Sequence, residues 1–111
     1  MINLYIKNPK TFSKIEASLK TVEIRLNRGF IKNLNLKIND KIYFQYQQEK
    51  CLVKLTNIQY YKSIEECFKD NKLEAIYGGT ISIENLYDYY KSIYKKSLVK
   101  FEIMALHFII I

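Results

Sequence analysis

The sequence predicts one α+β domain, a small mixed sheet or barrel with about three flanking helices. Stretches that alternate apolar and polar side chains recur at 21–26, 41–46 and 51–58, the pattern of half-buried strands. Capped stretches with helical signals lie at 9–20, 63–70 and 82–94. The 111 residues, 49% hydrophobic and 26% charged, suffice for one core over residues 1–111 and exclude a disordered chain. Hairpin connections and the lack of a glycine-rich phosphate loop argue against a doubly wound parallel sheet.

In order, residues 2–6 alternate and read as a short strand. Asn8 and Pro9 then open a helix, Asn8 as cap and Pro9 in the first turn. Phe12, Ile15, Ala17 and Leu19 carry that helix to about Lys20. The next strand puts Thr21, Glu23 and Arg25 on one face and Val22, Ile24 and Leu26 on the other. Residues 27–29 end it, and 30–39 read as irregular, rich in Asn and Lys. Strands at 41–46 and 51–58 flank a polar connection at 47–50 and make a hairpin. Ser63 and Glu66 form a capping box for a helix to about Asp70 that buries Ile64 and Phe68. Gly78-Gly79 is a break, and a last helix starts at Ser82 or Asn85. Residues 98–111 read as strand throughout, in one piece or two.

Lys plus Arg number 18 against 11 Asp plus Glu, a net charge of +7, which favours phosphate-bearing partners. Genome composition is the competing explanation for the lysines, but it does not explain why the only arginines, Arg25 and Arg28, lie in one short stretch. Cys51 and Cys67 occur without a CxxC pair or a Cys/His cluster, so no metal site and no cofactor is expected. The residues give no signal-peptide layout and no apolar run of membrane-spanning length, so a cytoplasmic protein with free thiols is expected, with no membrane partner. The oligomeric state is not encoded in any feature of the chain.

The segment 20–27 is the richest in chemistry. Thr21, Glu23 and Arg25 put a hydroxyl, a carboxylate and a guanidinium in a line, with alternate residues roughly 6.5–7 Å apart. That suits a flat polar ligand such as a base, and it equally describes the wet outer face of an amphipathic strand. The 10 tyrosines and absent tryptophan add stacking surface, with Tyr60, Tyr61, Tyr77, Tyr87, Tyr90 and Tyr94 around the helical segments. His107, the single histidine, sits in an apolar strand and reads as a satisfied core or cleft side chain.

The string Lys20-Thr21-x-Glu23-x-Arg25-Leu26, preceded by a helix, resembles the signature of ASCH domains of the PUA-like superfamily. Residues 38–44 resemble that family's turn into a strand, with Asn39 where Gly is usual. Residues 60–66 resemble the segment entering its middle helix, 90–94 a recurring tyrosine pair, and 101–108 the strand that closes its barrel. The resemblance implies a PUA-like barrel with a cleft onto which the polar strand face turns. It implies binding of RNA or a nucleotide-like ligand, with Lys20, Thr21, Glu23, Arg25, Asn27, Arg28, Tyr90 and Tyr94 as ligand-binding residues. The alternative it carries is a small metal-independent hydrolase, an amidohydrolase acting on a modified nucleoside or an enzyme cleaving RNA, with Lys20, Glu23 and Glu74 as catalytic residues. In the amidohydrolase branch a hydroxyl residue stands where this chain has Glu23, and a further carboxylate aligns near Asn71 or Glu74. Whether the chain is an enzyme stays open at this level.

Overall fold

The computed structural model describes residues 1–111. The chain begins with β1 (Asn3–Tyr5) and α1 (Pro9–Glu16). The Asn8 side chain accepts from the backbone N–H groups of Lys10 at 2.8 Å and Thr11 at 3.4 Å, and Pro9 occupies the first turn. The helix stops four residues short of the expected Lys20. Only Phe12 and Ile15 are buried on it, while Ala17 and Leu19 are exposed and find nothing to pack against.

Next come β2 (Val22–Leu26) and α2 (Gly29–Asn33), a single turn inside the stretch expected to be irregular. Its one buried anchor is Ile31, too little for a period to show in sequence. The hairpin is β3 (Lys41–Tyr46) and β4 (Glu49–Tyr61). Tyr46 pairs with Glu49 across Gln47 and Gln48, so the connection is shorter than expected. Asn39 has φ 78°, the left-handed conformation that Gly adopts freely and Asn tolerates best among other residues.

Then follow α3 (Ile64–Asp70), α4 (Leu73–Tyr77) and α5 (Ile83–Tyr94). Ser63 caps α3 by accepting from Glu66 N–H at 3.2 Å, while the Glu66 carboxylate takes the N–H of Lys62 rather than of Ser63. Ser82, not Asn85, caps α5. The five-residue α4 is absent from the sequence reading. So is the 3-10 turn Lys95–Val99, whose last two residues fall where a strand was expected; Leu98 is its buried anchor, and the strand β5 begins only at Ile103 and ends at Ile110.

The five strands form one sheet in the order β1-β3-β4-β5-β2, with β1 parallel to β3 and all other pairs antiparallel. Phe44 and Phe108 stand two strands apart, yet their ring centroids are 4.9 Å from each other. Side chains can converge so closely only on a concave face, since two strand spacings span roughly 9.5 Å. The sheet is therefore a half-barrel. Its inside is filled by Leu4, Phe12, Ile15, Phe44, Leu55 and Leu106. Its outside packs Val22, Ile24 and Ile103 against Ile64, Phe68, Ile76 and Leu86 of the three later helices. Five helices flank it, three of them seven residues or longer, in agreement with the expected α+β class of a small mixed sheet with flanking helices.

Gly78 ends α4 at φ 83°, and a Cβ built there would lie 2.8 Å from Lys14 Cδ and 3.1 Å from Lys20 Cβ. Gly78→Ala is therefore both strained and overpacked, and should cost about 1–3 kcal/mol. Urea unfolding checks this; an unchanged midpoint would show that α4 is not seated against Lys14 and Lys20.

Candidate functional site

The site follows from which way β2 faces. Glu23 pairs with Leu106 and Arg25 with Met104 across β5, and both partners belong to the inner core. The polar face of β2 therefore turns into the half-barrel, at the gap between its two edge strands. Glu23 is only 7% exposed and Lys20 only 3%.

These charges satisfy one another. Glu23 Oε1 lies 3.2 Å from Lys20 Nζ, and Glu23 Oε2 accepts from Arg25 Nε at 2.8 Å. Lys20 Nζ also donates to the carbonyls of Val22 at 2.7 Å and Ile76 at 2.5 Å. Arg25 Nη2 donates to the carbonyl of Tyr5 at 3.0 Å, tying the β2 edge to the β1 edge. Burial pushes the Glu23 carboxyl up, but Lys20 and then Arg25 outweigh it and hold it below the usual carboxylate range. Burial pushes Lys20 below its ordinary value against the pull of Glu23. Three acceptors still require three N–H groups, and only the ammonium form has them.

Above this floor is a cavity of about 390 Å3, within the range of small-ligand pockets. Lys7, Lys10 and Lys14 line it from the loop and α1, and Tyr77, Tyr90 and Tyr94 line it from the helices. Glu23 is its only carboxylate. The Lys14 ammonium sits 3.7 Å from the centroid of the Tyr77 ring. Tyr90 and Tyr94 are near-parallel, with centroids 6.3 Å apart and planes 9° from each other. Burial, then the Glu23 charge, push the Tyr90 phenol well above its ordinary value, so it stays protonated. Tyr90 is 5% exposed and lines the cavity.

Of the residues singled out from sequence, Lys20, Glu23, Arg25, Tyr90 and Tyr94 meet in this one cavity. Thr21 does not line it; its N–H goes to Ala75 and its carbonyl takes the N–H of Phe108. Asn27 lies on a second cavity, its amide donating to Glu102 at 3.0 Å. Arg28 is exposed, over the rings of Phe101 and Tyr94. Glu74 is exposed, away from the Lys20–Glu23 pair, and Asn71 donates to the Tyr61 hydroxyl. His107 faces Gln59 at 2.9 Å. Sequence reasoning missed Lys7, Lys10 and Lys14. Their spacing of three and four residues was the available signal, since it puts them along one side of a helix and its lead-in. No group of three or more His, Cys, Asp or Glu side chains stands close enough together to hold a metal ion.

No protein-family model and no curated protein matches the chain. Solved structures do. The hypothetical protein PH0355 superposes over 100% of both chains with a TM-score of 0.81 at 23% identity. The ASCH domain from Lactobacillus crispatus covers 97% of this chain and 77% of its own, with a TM-score of 0.70 at 11% identity. An ASCH protein from Zymomonas mobilis covers 97% of this chain, which spans 65% of it, with a TM-score of 0.63 at 14% identity. The chain shares its fold with these structures, two of which are ASCH domains.

The buried triad predicts a stability cost and an acid limit. Glu23→Ala leaves the buried Lys20 and the half-buried Arg25 without their counter-charge and should cost about 3–5 kcal/mol. The Glu23 carboxyl titrates lower in the folded chain than in the unfolded one. Its contribution is therefore complete above about pH 4.3 and is lost as pH falls through the lower folded value. Urea midpoints measured from pH 7 downward should drop for the native chain, and less steeply for Glu23→Gln. Identical slopes would exclude the triad as the acid-sensitive element.

Proposed function

We propose that this chain is an RNA- or nucleotide-binding ASCH-type domain whose ligand enters the cavity above Lys20, Glu23 and Arg25. The observation that carries this reading is a cavity whose floor offers one carboxylate and one guanidinium while its rim is cationic and its wall aromatic. A carboxylate keeps acceptor sites beyond the two used here, and these suit the amino group of a base such as cytosine. Arg25 retains N–H groups for a base carbonyl or a sugar. Tyr94 offers a ring face for stacking.

Phosphate falls to the rim rather than to Lys20, whose three N–H groups are engaged. Both ion pairs of the structure belong to Glu23, so Lys7, Lys10 and Lys14 are free of carboxylate partners. Binding is favoured over hydrolysis for the same reason. A general base needs a carboxyl poised near the working pH, and Glu23 is held low by two cations. A second carboxylate does not reach it, since Glu74 lies outside the cavity.

Fluorescence titration with single-stranded RNA tests the reading. Affinity should fall with salt at a log–log slope of about −2 or steeper, near −0.7 for each phosphate neutralised, three of them by the rim lysines. Lys10→Ala should make that slope shallower by about 0.7 without altering the fold. Absence of binding at low ionic strength, or binding indifferent to salt, would overturn it.

A further inference from the structure

A second cavity of about 350 Å3 opens beyond the end of β2, with Asn27, Ile31, Lys32, Lys37, Tyr60 and Met104 in its wall. The wall holds two lysines and no carboxylate. Tyr60 is half exposed, so one ring face is available to a ligand. The strand register relates this cavity to the first. Arg25 pairs with Met104, and Met104 pairs with Tyr60, so the three form one row across β2, β5 and β4. Their side chains leave the same face of the sheet, with the Arg25 and Tyr60 backbones roughly 9.5 Å apart.

Arg28 stands between the two cavities. It follows Asn27 of the second, and its guanidinium is 5.9 Å from the ring of Tyr94 in the first and 5.3 Å from the ring of Phe101. It forms no ion pair. Two cavities with a π face in each, an unpaired guanidinium near both and lysines at their edges supply the parts that a base–phosphate–base run would use.

We infer that the second cavity is a stacking subsite for a neighbouring nucleotide, so that the ligand is a single-stranded oligonucleotide and not a mononucleotide. This rests on the nucleotide reading of the first cavity. Tyr60 stacks the second base, Arg28 holds the phosphate between the two, and Lys32 and Lys37 meet the next phosphates. A duplex does not satisfy the site, because its bases are already stacked on each other.

The test compares cytidine monophosphate with fluorescein-labelled hexacytidylate. The hexamer should bind more tightly than the monophosphate. Tyr60→Ala should lower hexamer affinity about tenfold, the loss of one stacked base, and Tyr60→Phe should restore it. Tyr60 is half exposed, so its loss leaves the core intact; the exposed Lys37→Glu supplies a second variant that should weaken the hexamer most at low salt. A hexamer no tighter than the monophosphate, or one indifferent to both Tyr60→Ala and Lys37→Glu, would overturn the subsite and leave the nucleotide site standing. Failure of both probes to bind would remove both.

Discussion

One buried carboxylate organises this half-barrel. Glu23 lies between Lys20 and Arg25, and each cation reaches past it to a different part of the fold. Lys20 extends to the carbonyl of Ile76 near the end of α4, and Arg25 to the carbonyl of Tyr5 at the end of β1. The β2 and β1 edges share no ladder of hydrogen bonds, since they lie at opposite ends of the sheet order. A guanidinium therefore closes what backbone pairing leaves open. Taking three charges out of water costs several kcal/mol per ion, so the network gains little net stability. What it supplies is placement: Glu23 draws the two cations side by side into the gap.

The same satisfaction sets the chemistry of the cavity floor. A group that accepts two charge-assisted hydrogen bonds is held ionised and in place, which suits recognition and disfavours proton transfer. Glu23 supplies the counter-charge that lets Arg25 sit beside the buried Lys20.

The strand carrying this network was legible because its alternation is strict. Val22, Ile24 and Leu26 announce one buried face whatever the other does. That Glu23 and Arg25 face inward as well is not in the pattern, because a polar face turned to a cavity and one turned to water spell the same sequence. Family resemblance, not periodicity, favoured the inward reading. The elements missed share a cause. The helices α2 and α4 and the turn before β5 are five residues each, and each leaves a single buried anchor, Ile31, Ile76 and Leu98. One anchor has no period. Leu19 failed in the opposite direction, an apolar residue at helical spacing that has no surface to meet.

Sixteen lysines and two arginines divide the basic residues by what each position demands. A lysine is a hydrated point charge, sufficient wherever attraction without direction is needed, as on the rim at Lys7 and Lys10. Arg25 must meet a carboxylate through one nitrogen and a backbone carbonyl through another, in a fixed fork that a lysine cannot reproduce. Arg28 must lie over the rings of Tyr94 and Phe101, which favours a flat, weakly hydrated cation. Composition drift toward lysine accounts for charge in general. It does not account for the two places where the cation needs a shape, one within β2 and one two residues beyond its end.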